Sequence, residues 1–518
     1  THWSMPQGNG VPALGPADAR AILETYLGEP LGEFEAAGEP ELVLMALSAN
    51  PVEGPARRWT GLRGQGLTHA LVWRLQFQDP AGPALWVGEI DAHDGEVIAF
   101  YDGAHYASVR GGVYPEAPDL GCSSGGCEIQ GLPMPYAGWT ESGQAAATSD
   151  AYGNLVCGDP AATFVTSLDG TYANVDDSCG EFLETGSCSG PLDLGLKAGE
   201  NCDVAIGSSP GNTAAARSSY YHLTRVAEVA RHYNPSSAWL GNTSVTVHSN
   251  WQGTCNASSG PTAIYMYRSG TSWAECANSG EIQGIIVHEW GHTYDRNDGG
   301  GFDITSEAYG DVVSMLASRE SCFGPGLFTD GTTCSGYGDT CLTCTGVRDH
   351  DWAARTANTP ATPQDFVLNN CNPAGSTQSP CGGSVHCESY PIGESIFDLA
   401  TRDLPAAGMD VDSAWQLVER SWYSTRQGSG GNIYTCALPN SDSCSASSWY
   451  QRMRVADDND ANLANGTPHA AELYAAFARH NIACGEPGDP ENQSTTDCPA
   501  LPAPMLTVTD TPSGPNLS

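Results

Sequence analysis

Lysine is almost absent. Lys197 is the only one among 518 residues, and 21 basic side chains stand against 60 acidic ones, a formal net charge of -39. Such a surface repels phosphate backbones and anionic lipid, which argues against nucleic acid as a partner and favours cationic or neutral ligands and bound cations. A plainer reading of the acidity is solubility. Long apolar runs are also missing: no stretch of about 18 apolar residues is present to cross a bilayer as a helix. Charged residues make up only 16% of the chain, and the 61 Gly and 34 Pro are spread along it without forming repeats, a loop-rich globular composition. At 518 residues the chain exceeds one ordinary core, and about 150 residues per domain suggests several modules in series.

Cysteine is plentiful, with nineteen in all and close neighbours such as Cys122/Cys127, Cys179/Cys188, Cys255/Cys276 and Cys436/Cys444. They are read as mostly disulfides, with connectivity left open and the odd count leaving at least one outside an internal pair. The first residue is Thr1 rather than Met. With the cysteines, this gives the expectation of a secreted or extracellular protein, a cell-surface location included, from which a signal peptide has been removed.

Residues 17–27 carry helical spacing after Pro16, and 71–101 alternate as three strands, LVWRLQF, ALWVGEI and GEVIAFY. From Gly111 to about Gly207, short strand-like pieces such as TFVTSLDG and TYANVDD are broken by Gly, Ser and Asp and interspersed with cysteines, which predicts a small disulfide-pinned β domain. Helical periodicity returns over 212–233 and stops at Asn234-Pro235. Beyond Cys484 the composition becomes that of a linker, and PAPMLTVTDTPSGPNLS resembles the opening of a fibronectin-type module.

The segment GIIVHEWGHTYD at 284–295 contains His288-Glu289-Trp290-Gly291-His292. On a helix, residues four apart share a face, so both imidazoles can reach one zinc ion while Glu289 lies beside its open position as general base. The pattern also arises by chance on helix surfaces. A second acidic helix, SEAYGDVVSMLAS at 306–318, supplies Glu307 and Asp311, again four apart: Glu307 as third ligand, Asp311 to accept the other N–H of a ligand histidine. Asp298 remains open as an alternative ligand. Asp295 occupies the place where a glycine-turn zincin would carry Gly, and no histidine follows at the metzincin position. Cys341 and Cys344 form a C-x-x-C that reads as disulfide cysteines in preference to a zinc knuckle with Cys334 or Cys322. His350, between two aspartates in GVRDHDW, reads as part of a salt-bridged structural loop. Asp457, Asp458 and Asp460 in VADDNDANLANG suit calcium or a plain polar turn. HCESYPIGESIFDLATRDL at 386–404 reads as a core helix lining the cleft, with Arg402 in reach of a substrate carbonyl.

HExxH followed by ExxxD resembles the gluzincins, the thermolysin-like and fungalysin-like peptidases. The resemblance implies that Asn256-Ala257, ahead of the strand TAIYMY, pairs with substrate backbone at a sheet edge. It also implies that His469, after Asn465-Gly466, stabilises the oxyanion; Ala464 stands where the family often has an orienting Asp, so Asp458 or Asp460 would have to take that part. LVWRLQF with WVGEIDAHDGEVIAFYD resembles a PepSY/FTP-type inhibitory pro-domain, retained or nicked near Arg110-Gly111.

The expected fold class is therefore α+β multidomain: a PepSY-like α+β pro-domain (1–110), a small cysteine-containing β domain (111–208), a thermolysin-like zincin catalytic domain with the HExxH helix (209–484), and a linker with the start of a further module (485–518). The expected function is a secreted zinc endopeptidase acting on polypeptide substrates, with one catalytic zinc, calcium at the acidic loop and its own pro-domain as inhibitor. The rival is a cell-surface adhesion or assembly protein on an inactive peptidase scaffold.

Overall fold

The computed structural model describes residues 10–495 except 29, 32–34, 37–38, 49–66, 79–84, 103–106, 119–126, 156, 158–160, 336–337 and 372–376. The fibronectin-like opening and Cys122 lie outside the described residues. The molecule is mixed α+β, with several sheets and at least eight disulfides. None of the described helices is long and apolar enough to cross a membrane.

Near the N-terminus, the helix Pro16–Leu27 packs on an antiparallel sheet formed by Glu41–Ser48, Leu67–Gln78, Leu85–Asp91 and Val97–Asp102, with Glu35–Ala36 added at one edge. Pro16 at the first turn has no N–H to leave unsatisfied, and Gly28 closes the helix in the left-handed region at φ 74°. Ala19, Leu23, Leu31, Leu75, Phe77 and Ile90 form a small core of their own.

A second, far larger core takes in residues from Ala107 to Ile482. Its backbone is an eight-stranded sheet. Running inward from one edge, the strands are Ala257–Ser259, Ala263–Tyr267, Val245–Trp251, Ala173–Asp177, Thr163–Gly170, Ala137–Glu141 and Ala146–Thr148, with Glu184–Ser187 also paired to Thr163–Gly170. The two sides of the boundary expected between 208 and 209 are joined in this sheet. Ala173–Asp177 pairs in parallel with Val245–Trp251, Ala173 facing Val245, so the cysteine-rich strands and the helical region share one sheet and one core. Arg110 and Gly111, the place named for a nick, lie inside the strand Ser108–Val113, facing Pro133 and Leu132.

The helix Ala214–Tyr233 crosses this sheet, its first turn capped by Thr213, whose hydroxyl accepts from the Ala216 amide at 3.1 Å. Behind it lies the helix Gln283–Asp295, buried from Gly284 to Asp295, followed by Ser306–Ser318.

Among the described close cysteine neighbours, two pairs are not partners and one is. Cys179 bonds Cys202, Cys188 bonds Cys157, Cys436 bonds Cys381 and Cys444 bonds Cys484, whereas Cys255 does bond Cys276. The C-x-x-C cysteines go to different partners, Cys341 to Cys334 and Cys344 to Cys322.

Candidate metal centre

Two helices build the centre, and two glycines let them touch. A Cβ on Gly291 would lie 2.9 Å from the Cα of Gly310, and one on Gly310 would lie 2.6 Å from Nδ1 of His288. Any larger residue there would separate Gln283–Asp295 from Ser306–Ser318. At this spacing His288, His292 and Glu307 converge, each offering a ligand atom within 4.8 Å of the others. His288 Nε2 is 3.6 Å from Glu307 Oε2, and His292 Nε2 is 3.5 Å from Glu307 Oε1.

Each remaining ring nitrogen has a polar neighbour. His288 Nδ1 lies 3.1 Å from Asp311 Oδ1, and His292 Nδ1 lies 2.9 Å from the Ser306 hydroxyl. This fixes both rings so that their Nε2 lone pairs point at one place, the arrangement that metal-binding histidines need. Two imidazoles and a carboxylate form a donor set that fits zinc.

Asp311 is buried among cations and donors. Arg348 grips it with two nitrogens, at 2.7 and 3.0 Å, and reaches Glu307 at 3.2 Å. His350 Nε2 is 3.1 Å from Asp311, and the Ser389 hydroxyl donates to it at 3.2 Å. Burial would raise its pKa, but Arg348 and His350 overcome this and hold it well below the usual carboxylate range. Arg348 also lies over the Phe323 ring, which stacks on His288. His350 thus belongs to the surroundings of the candidate site, beyond the structural loop expected of it.

Glu289 is buried, and burial pushes its carboxyl up to about 7, with His288 opposing the rise. A carboxylate that ionises near neutrality can both take and return a proton. Ser259, on the edge strand Ala257–Ser259, lies within hydrogen-bonding reach of it. Thr293 Oγ1 donates to the Gly260 carbonyl at 3.0 Å, tying the motif helix to that edge. Asn256 is exposed just ahead of the strand and Ala257 pairs with Met266, so the edge expected near the site is where the two residues stand.

A further imidazole, that of His386, stands beside the candidate ligands. His469 hydrogen-bonds through Nδ1 to Asp457 at 2.7 Å and faces an apolar recess lined by Leu399, Leu417, Met453 and Leu473. His386 Nε2, by contrast, lies 3.3 Å from Glu307 Oε2 with the side chain 44% exposed. Thr305 sets this up: its hydroxyl accepts from the Glu307 amide at 3.2 Å and donates to the Val385 carbonyl at 3.1 Å. Burial lowers the pKa of His386, which favours a neutral ring.

The acidic loop is corrected as well. Asp457, rather than Asp458 or Asp460, orients His469, and it also accepts from the Thr467 hydroxyl at 2.6 Å. Asp458 and Asp460 cap their own turn, accepting from the amides of Asp460 and Asn462. Arg402 is held by Asp351 and Asp398 over the Trp352 ring. Asp298, the alternative zinc ligand, joins Asp295 and Asp303 in a separate buried cluster.

Arg348, His386 and Ser306 were missed as site residues by sequence reasoning. Among them only Ser306, one residue before Glu307, lay within the motif's own helices.

Neither a protein-family profile nor a curated protein matches the chain.

Proposed function

We propose that the chain is a zinc-dependent endopeptidase of the thermolysin-like kind, with His288, His292 and Glu307 as ligands. The observation that carries this reading is the convergence of two Nε2 atoms and one carboxylate, with Asp311 beside one Nδ1 atom and the Ser306 hydroxyl beside the other. Zinc, when bound there, supplies Lewis acidity to a substrate carbonyl and lowers the pKa of a water towards about 7. Glu289 takes the proton of the attacking water and hands it to the leaving nitrogen. His386 donates an N–H to the oxygen on which negative charge develops, the part first given to His469. Asn256, Ala257 and the strand after them pair with an extended substrate, adding it to the sheet edge. Asp311, Arg348 and His350 hold His288 and Glu307 in place.

Residues 1–110 act in this reading as an inhibitory pro-domain, and the protein works outside the cytoplasm, where its disulfides persist. The test is elemental analysis of the purified chain together with casein hydrolysis before and after brief trypsin treatment, with a chelator control. Stoichiometric zinc and chelator-sensitive activity that rises on nicking are expected. Zinc without activity once residues 1–110 are gone would favour the adhesion scaffold, and absence of zinc would overturn both readings of the site.

A further inference from the structure

Outside the zinc site, three carboxylates meet in the protein interior. Asp295 ends the motif helix one turn beyond His292, Asp298 lies in the loop that follows, and Asp303 begins the short strand Asp303–Ile304. Their relative exposures are 0%, 2% and 0%, and one oxygen of each lies within 4.8 Å of one from each of the others. Part of this oxygen surface is satisfied. Asp298 accepts from the Gly300 amide at 2.7 Å and the Tyr309 hydroxyl at 3.0 Å, Asp295 Oδ1 from the Asp303 amide at 2.9 Å, and Asp303 Oδ2 from the Ser429 hydroxyl and the Trp449 indole, each at 3.2 Å.

Two oxygens are left over. Asp295 Oδ2 and Asp303 Oδ1 are buried with no partner in good hydrogen-bonding geometry, although the Ser306 hydroxyl stands beside Asp295 and the Gly430 amide beside Asp303. A buried carboxylate oxygen in that condition is costly unless a cation or a proton meets it. The cation at hand is Arg426, whose Nη1 is 3.8 Å from Asp303 Oδ2, while its Nε and Nη2 are committed to the Trp422 carbonyl and the Thr425 hydroxyl. Three negative charges against one positive leave a deficit of two. Burial, with Asp303 beside it, pushes Asp295 up to about 8, and burial pushes Asp298 to about 7, so the group does not ionise fully unaided.

The loop is also fitted tightly to its surroundings. A Cβ on Gly300 would lie 2.2 Å from the Arg426 carbonyl oxygen and 2.6 Å from that of Ser429, so glycine alone lets Asp298 and Asp303 close over this turn. We propose that Asp295, Asp298 and Asp303 bind calcium, pinning the end of the motif helix to the 426–430 turn and to Trp449. Donors that are all oxygen, and a charge deficit of two, select a hard divalent cation. The proposal stands independently of peptidase activity.

The test uses the full chain saturated with zinc and terbium as a luminescent stand-in for calcium, excited through the neighbouring Trp449. Sensitised emission is expected, displaced by calcium and far less by magnesium, and calcium alone should raise the thermal midpoint. Both effects should disappear in Asp295→Asn/Asp303→Asn and persist in Asp458→Asn/Asp460→Asn. Should the first double variant fail to fold, Asp298→Asn must weaken terbium binding by about tenfold or more. Emission unchanged in the Asp295/Asp303 or Asp298 variants, or no calcium-dependent shift in the unaltered chain, overturns the assignment. Because neither readout involves turnover, this failure is distinct from failure of the peptidase proposal.

Discussion

At the scale of single residues, Glu289 and His386 carry the sharpest consequences. Glu289→Gln keeps the size of the side chain and removes its basicity. Steady-state casein hydrolysis should fall by about 100-fold or more, with zinc content unchanged; substantial residual turnover would remove Glu289 from its role. His386→Ala should lower kcat by about 100-fold with little change in KM. His469→Ala should leave kcat near its original value and cost about 1–3 kcal/mol of stability, because the buried Asp457 keeps Thr467 but loses its imidazole partner. The reverse pattern would return the oxyanion to His469. His288, Glu289, His292, Glu307 and Asp311 were legible because a helix converts a spacing of four into a shared face. Arg348, His350 and His386 were not, because they reach the site from segments 37 to 75 residues distant from Asp311 and no local period records such a meeting. The surroundings of His469 were hidden for the same reason: Asn-Gly-x-x-His describes a turn entering a helix and says nothing of what lies opposite.

At the scale of elements, periodicity located the main helices and strands well, since the apolar face of each is read one turn or one pleat at a time. Ala214–Tyr233 and Ser306–Ser318 fall almost where spacing predicts. What spacing could not show is how closely two helices approach. Gly310→Ala would press a methyl group against the His288 ring. It is expected to cost about 1–3 kcal/mol and to weaken zinc binding by about 10–100-fold, read by zinc titration of the refolded chain. The short 3-10 turn Ser279–Glu281 ahead of the motif helix carries a pH-dependent cost. Burial pushes Glu281 from 4.5 up to about 7. Between those values the folded chain keeps a proton that the unfolded chain releases, so this residue's contribution falls as pH rises through the window and is fully unfavourable above it. Glu281→Gln should therefore gain up to about 3 kcal/mol at pH 8 and almost nothing at pH 4 in denaturant titrations. Equal gains at both pH values would assign the effect to packing.

At the scale of the whole molecule, the change in texture at 208 marked a change in local structure and not a boundary of the core. A domain break is a property of contacts, and the parallel pairing of Ala173–Asp177 with Val245–Trp251 joins segments about seventy residues apart, a pairing that composition does not reveal. Disulfide connectivity was hidden for the same reason, since it follows from which loops meet. Net charge, in contrast, was fully legible and bears on the molecule as a whole. With 60 acidic residues against 21 basic ones, self-repulsion opposes the compact state. Salt screens that repulsion over a distance that shrinks from about 30 Å at 0.01 M to about 3 Å at 1 M. Raising sodium chloride across this range should thus raise the thermal midpoint of the chain, with most of the gain at the low end, where the screening length crosses the spacing of surface charges. Divalent chloride at matched ionic strength separates two effects. Magnesium should follow the sodium curve closely, whereas calcium should exceed it if the cluster of Asp295, Asp298 and Asp303 is filled, and a midpoint indifferent to sodium would show that the acidic side chains are already neutralised by their neighbours in the fold.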